Sequence, residues 1–175
     1  EGLNASFGAA TGGASNNGTN TLEWLRHSVF QSPLPASDFT GMAADVPPGS
    51  DGLLFLPYLF GERAPLYNAQ AQGSFQHLTA KHTQPHFVRA AMEGVLFNVK
   101  MISEALEAHS PIQTLHAGGG FSRSSLWVQM LADLFQKTVL LPDEQIDASL
   151  SGALQIAAET FGLPQIFEKR PARRI

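Results

Sequence analysis

The 175-residue sequence contains no cysteine, which excludes both disulfides and thiolate metal sites. It also contains no apolar run near the ~20 residues that a membrane-spanning helix needs, and no charged-then-apolar leader opens it. The cytoplasm is therefore the expected compartment. The chain begins with Glu1 instead of Met, which hints that it is part of a longer protein.

Charge is also scarce, since Asp, Glu, Lys and Arg make up 15% of the chain and the net charge is −4. Apolar residues make up 43%, so a folded domain is expected, and the length suits one domain. The only dense basic run is Lys169–Arg174, inside a predicted tail over 165–175. Phosphate-backbone binding needs a positive surface, so no nucleic-acid partner is predicted.

The first half of the chain predicts two helices and a strand. A stretch over 3–18, rich in Gly, Ala, Ser and Asn, predicts turns whose backbone approaches another group closely. A helix should start with Asn20 or Thr21 as its cap and end before Pro33. Its apolar stripe comprises Leu22, Leu25 and Val29. The apolar run 53–59 predicts a strand covered on both faces, 61–73 predicts a loop, and 85–109 predicts a long helix.

In the second half, strands and helices alternate. Strands are predicted over 112–117 and 138–141, and a helix between them should be capped by Ser122 or Ser124. A last helix should begin with Asp147 as its cap and end at Gly162. This alternation favours an α/β architecture with a central sheet.

Three consecutive glycines, Gly118, Gly119 and Gly120, follow the predicted strand and precede the predicted helix. Without Cβ atoms, their backbone N–H groups and the positive helix end can approach a flat or anionic ligand. This predicts part of a nucleotide site, with a tight packed turn as the structural alternative. A dinucleotide fingerprint would require glycine at Arg123, and the Gly-Lys-Ser/Thr of a P-loop is absent.

Four segments, in order along the chain, resemble the FGGY family of carbohydrate kinases, the sugar-kinase branch of the actin/hexokinase-like superfamily. They are the loop 55–65 with its Gly-Glu-Arg-x-Pro motif, the C-terminal signature over 73–93, the adenosine-binding segment 116–133 and the late helix 147–153. His77 departs from the signature, where glycine is usual. The resemblance implies an actin/hexokinase-like (ribonuclease H-like) α/β domain over 1–164, with a central mixed sheet flanked by helices.

The resemblance also implies site residues. The adenosine of ATP would be bordered by Gly118, Gly119, Gly120 and Arg123, and Gly18 and Thr19 would lie near it from the opposite wall. Several family members have a second glycine at Thr19 and Gln at Glu23. An ordinary capped helix start therefore stays the alternative for Thr19 and Glu23.

Other polar residues give weaker signals. Glu62 and Arg63 either position substrate or form a local ion pair that braces their loop. Asp133 suits a structural role. His82 and His86 have no third ligand nearby, so no metal site is predicted from protein side chains.

Phosphoryl transfer from ATP also needs a base for the attacking hydroxyl. In the family an Asp in a glycine-rich segment supplies it, and an N-terminal domain holds the sugar; nothing ahead of Gly12 matches that segment. The resemblance therefore implies an ATP-side domain that uses ATP and Mg²⁺ and is inactive alone. Its segments look most like those of gluconate-phosphorylating members, with xylulose-phosphorylating members next.

Alternatives of other classes stay open. A non-catalytic nucleotide-binding or regulatory module of the same fold would lack the upstream Asp. An NAD(P)-binding module would prefer NADH to ADP or ATP. Absence of a partner domain would leave apolar surface exposed, which makes a homodimer a further expectation.

Overall fold

The computed structural model describes residues 12–141, 148–162 and 173–174. Helix α1 spans Thr19–Trp24 and continues as a π-helical turn over Leu25–Val29, and α2 spans Ala36–Gly41. The long helix α3 spans Gln84–Glu107, α4 spans Ser125–Phe135 and α5 spans Ala148–Phe161. Short 3-10 turns cover Ser50–Gly52 and Gly120–Arg123. The strands are β1 (Leu54–Leu56), β2 (Ser74–Gln76), β3 (Thr114–His116), β4 (Thr138–Leu141) and β5 (Arg173–Arg174).

These strands form two small sheets. Strands β1 and β2 pair antiparallel, with Phe55 opposite Phe75 and their ring centroids 4.3 Å apart. Strand β4 pairs parallel with β3 on one side and antiparallel with β5 on the other. The second sheet is therefore mixed, and the alternation of strands and helices confirms the predicted α/β architecture.

Helix α3 lies at the centre of the hydrophobic core. Val88, Ala91 and Met92 are fully buried on it, and Trp127 of α4 packs into the same cluster. Gly94 allows β1 to approach the helix, because a Cβ added there would lie 2.3 Å from the Phe55 carbonyl oxygen. Every element near the candidate site packs directly or indirectly on this helix.

The structure corrects two predictions about burial. Strand β1 is covered on one face only: Phe55 is buried, whereas Leu54 and Leu56 are 44% and 42% exposed. The predicted helical stripe ends early, since Val29 is 46% exposed. The cause is the π-helical turn, in which Phe30 N–H donates to the Leu25 carbonyl and the side chains rotate off the α-helical register.

The predictions of where helices begin and end agree better with the structure. Ser124 caps α4, its hydroxyl accepting from Trp127 N–H at 3.3 Å. Helix α5 ends before Gly162, whose φ of +64° suits a helix C-terminus. The predicted cap Asp147 lies outside the described residues. Among the described residues, no helix combines the length and apolar character needed to cross a bilayer.

Candidate nucleotide-binding site

The glycine loop follows β3 as predicted, and a 3-10 turn lies between it and the next helix. Gly119 has φ +75° and ψ −159°, and a 3-10 turn begins at Gly120. Both the N–H and the hydroxyl of Ser122 donate to the Gly119 carbonyl, at 3.2 and 2.8 Å. Helix α4 starts at Ser125, after this turn and the extended cap residue Ser124.

The loop presents free backbone to solvent. Gly118, Gly119 and Gly120 are all exposed. Within the described part of the chain, the N–H groups of Gly118 and Gly119 donate to no protein acceptor. A Cβ at Gly119 would meet nothing within 4 Å, so glycine is required there by the backbone conformation and not by packing. The open N–H groups and bare backbone fit a nucleotide that lies against the loop.

The predicted opposite wall lies next to this loop. A Cβ added at Gly120 would lie 3.5 Å from Thr19 Cγ2, so folding brings together two segments about a hundred residues apart. Thr19 is exposed and is the first residue of α1. The cap position is Gly18, not Asn20 or Thr21 as predicted, because Asn20 Oδ1 instead accepts from Gly18 N–H at 2.7 Å and Thr21 N–H at 3.1 Å.

Two further predicted site residues have different environments. Glu23 lies on α1, where its Oε2 is 2.5 Å from Arg26 Nη2 and 3.2 Å from His27 Nε2. Its carboxylate is thus engaged within its own helical segment. Arg123 is exposed at the end of the 3-10 turn, beside the glycine loop.

Glu62 is the residue whose role the sequence reasoning missed. It is 2% exposed, in the loop after β1. Its carboxylate accepts from Ser15 Oγ (2.7 Å), Asn16 N (3.0 Å), Asn17 Nδ2 (3.1 Å), Arg63 N (2.8 Å) and Asn98 Nδ2 (2.8 Å). The predicted Glu62–Arg63 ion pair is wrong, since the Arg63 guanidinium turns to Asn16 Oδ1 at 2.8 Å.

These hydrogen bonds keep Glu62 ionised. Burial alone would raise the pKa of Glu62, but the hydrogen bonds from residues 15–17 and from Arg63 outweigh it and hold the pKa below its ordinary value. Burial, together with the negative charge of Glu62, raises the pKa of nearby Tyr58. A charged carboxylate held by neutral donors therefore binds residues 15–17, which lead directly into the Gly18–Thr19 wall.

Helix α3 connects both walls of the candidate site. Asn98 on α3 contacts Glu62, which in turn contacts the segment leading to Gly18. On the other side, Trp127 Nε1 of α4 donates to the Met92 carbonyl of α3 at 3.1 Å. The spacing between the walls is thus set through one common helix.

The described residues form no dedicated metal site. No three His, Asp or Glu side chains among them come together as a metal-binding group. His86 Nε2 contacts Asp51 Oδ2 at 3.1 Å, and its Nδ1 accepts from Thr83 N–H at the start of α3. Asp133 accepts from Gln129 on the exposed side of α4. These side chains stabilise their own elements.

Comparison with known proteins also indicates a carbohydrate kinase. The family model for the FGGY family of carbohydrate kinases, C-terminal domain, matches residues 2–161. A gluconokinase from Bacillus subtilis is 42% identical over 153 residues, which cover 81% of this chain and 30% of the relative. A xylulose kinase from Lactococcus lactis is 34% identical over 146 residues, 82% of this chain and 29% of the relative.

A solved structure agrees with these relatives. The crystal structure of gluconate kinase from Lactobacillus acidophilus has a TM-score of 0.76 and 36% identity, covering 87% of this chain and 31% of that one. The chain thus spans about 30% of the length of the curated relatives that it matches. It has the actin/hexokinase-like fold and belongs to the FGGY family of carbohydrate kinases, in the part that forms the C-terminal domain.

Proposed function

We propose that this chain forms the ATP-side half of a carbohydrate kinase and holds the adenosine end of ATP against the adjoining segments Gly118–Gly120 and Gly18–Thr19. The observation that carries the proposal is the approach of Gly120 to Thr19, beside exposed N–H groups with no described protein acceptor. Arg123 borders this place. Glu23 is the weakest member of the set, because its carboxylate is already paired with Arg26.

In the proposed reaction, the γ-phosphoryl group of ATP passes to a sugar hydroxyl, and this chain binds and orients the nucleotide. ATP supplies the phosphoryl group, and Mg²⁺ neutralises charge on the phosphates. Among the described residues no three His, Asp or Glu side chains form a metal-binding group, so the ion would be held largely by the ATP phosphates and water. The N–H groups of Gly118 and Gly119, which have no acceptor among the described residues, would add fixed partial positive charge.

We further propose that a separate N-terminal domain supplies the sugar-binding surface and the Asp base. Gluconate is the favoured substrate and xylulose the next, which the names of the relatives at 42% and 34% identity support. Dependence on ATP makes the cytoplasm the expected compartment, and the homodimer stays a prediction. The exposed Leu54 and Leu56 of β1 supply apolar surface for association with another domain or copy.

The experiment is a coupled assay of ADP release with gluconate, xylulose and glycerol, run on the two-domain protein and on this chain alone. We expect the two-domain protein to turn over gluconate fastest and the chain alone to show no turnover. Turnover of xylulose without turnover of gluconate would rule out gluconate as the favoured substrate. ADP binding without turnover of any substrate would instead favour a nucleotide-binding regulator, and turnover by the chain alone would contradict the missing base.

A further inference from the structure

We propose that Glu62 is a positioning residue for the nucleotide site: its buried carboxylate fixes the segment 15–17 and, through it, the Gly18–Thr19 wall. This inference rests on the proposed function, because it assigns Glu62 a role in that same site. Glu62 itself need not touch the nucleotide.

All three residues before Gly18 bind the carboxylate. Ser15 donates through its hydroxyl at 2.7 Å, Asn16 through its backbone N–H at 3.0 Å and Asn17 through its side-chain amide at 3.1 Å. A main-chain contact and two side-chain contacts leave this segment little freedom to shift. The position of Gly18 follows directly, because it is the next residue in the chain.

On its other side the carboxylate is attached to the core. Asn98 of α3 donates to it at 2.8 Å, while Asn98 Oδ1 is buried without a hydrogen-bond partner among the described residues. The amide therefore keeps an orientation that leaves its oxygen unpaired and directs its Nδ2 to Glu62 and Ser15. The carboxylate thus joins the core helix α3 to the wall of the site.

The charge is essential to this arrangement. Five donors surround a group with about four lone-pair positions, so every accessible position must accept. A Gln side chain would present an amide N–H₂ to some of these donors. Asn16 N–H and Arg63 N–H are backbone donors that cannot reverse, and both bind Oε1. The amide N–H₂ of Gln would therefore replace Oε2, face Ser15, Asn17 and Asn98, and disturb the wall.

The effect on a ligand follows from the contact between the two walls. Thr19 Cγ2 lies 3.5 Å from the place of a Gly120 Cβ, so a displacement of Thr19 changes the surface that the two segments together present to the nucleotide. The opposite wall is attached to α3 by a different contact, from Trp127 Nε1 to the Met92 carbonyl, which does not involve Glu62. Loss of the Glu62 charge should therefore move one wall relative to the other.

The test compares Glu62→Gln, Asn98→Ala and Val88→Ala in this chain. Asn98→Ala removes the α3 contacts to Glu62 and to Ser15, leaves the Glu62 charge in place, and is used if Glu62→Gln fails to fold. Val88 is fully buried on α3, about 15 Å along the helix from Asn98, so Val88→Ala lowers stability without altering the network. Each protein is titrated with ADP by calorimetry below its unfolding temperature, and the amide NMR signals of Gly18 and Thr19 are recorded.

We expect Glu62→Gln to weaken ADP binding about tenfold and Asn98→Ala to weaken it in the same direction, with shifted Gly18 and Thr19 signals. Val88→Ala should bind ADP like the wild type. Normal ADP affinity in both network variants would overturn the inference while leaving the proposed function intact. Equal loss in Val88→Ala would reduce the effect to stability and also overturn it. No ADP binding by the wild-type chain would overturn the proposed function, and the inference with it.

Discussion

Gly94→Ala tests the packing on which the site depends, because Gly94 is where α3 meets β1. An alanine in a helix interior normally gains about 1 kcal/mol over glycine. Here the new Cβ would lie 2.3 Å from the Phe55 carbonyl oxygen, 3.2 Å from its carbon and 3.3 Å from Phe55 Cδ1. The clashing atom is a backbone carbonyl oxygen of β1, and β1 is paired with β2. The clash is therefore relieved only if the strand pair moves by about 1 Å.

Such overpacking costs about 3 kcal/mol at the upper end of its usual range, which leaves a net destabilisation of about 2 kcal/mol after the helix gain. Urea unfolding should show a lower midpoint with an unchanged slope. The matched control is Gly41→Ala at the end of α2, where a Cβ meets nothing within 4 Å and stability should hold or rise. If Gly94→Ala is as stable as the wild type or more stable, the close approach of β1 to α3 does not require glycine at this position.

Three further predictions concern the site. Gly119→Ala should lower the free energy of unfolding by about 1–3 kcal/mol, because a backbone with φ +75° and ψ −159° is open to glycine alone. Gly120→Ala, in contrast, should keep the stability of the wild type but weaken ADP binding. Equal effects of the two in urea unfolding and ADP titration would contradict this. Trp127→Phe should cost about 1–2 kcal/mol in thermal unfolding, because the Met92 carbonyl loses a buried donor; an unchanged unfolding temperature would count against that bond. Finally, the depressed pKa of Glu62 means that its stabilisation is complete above its ordinary value of 4.5 and is lost as the pH falls through the lower folded value. Glu62→Gln should lack this loss when unfolding is followed from about pH 6 to pH 3, and identical pH slopes would disprove it.

Elements with strong local signals were predictable from sequence. Strand β4 occupies the predicted residues, α3 spans Gln84–Glu107 against a predicted 85–109, and Ser124 caps α4 as one of two candidates. Each carries its own signal, whether apolar periodicity, a capping hydroxyl or a β-branched run. The order of α3, β3, α4 and β4 followed from these signals.

Features made by distant contacts were not predictable. Strand β2 has three residues and exists through pairing with β1, where Phe75 packs on Phe55. The π-helical turn after α1 has no local signature and moved Val29 to the surface. For Glu62, reasoning from neighbours suggested an ion pair with Arg63, because the Ser, Asn and backbone donors 36 to 47 residues away are brought together only by folding.

The candidate site was predictable in part. The glycine loop was identified from its residues, and Gly18 and Thr19 from the family resemblance; the structure shows that these two segments adjoin. The 3-10 turn between Gly120 and α4 was not foreseen, since both Ser122 and Ser124 could cap a helix. Whether all seven predicted residues contact a nucleotide stays a prediction.

Calorimetric titration of this chain with ADP and, separately, with NADH distinguishes an adenosine site of ATP from a dinucleotide site. We expect ADP to bind, NADH to bind more weakly or not at all, and Gly120→Ala to reduce the ADP affinity without lowering the unfolding temperature. Preference for NADH, or an ADP affinity that Gly120→Ala leaves unchanged, would contradict a nucleotide site formed by the adjoining segments Gly118–Gly120 and Gly18–Thr19.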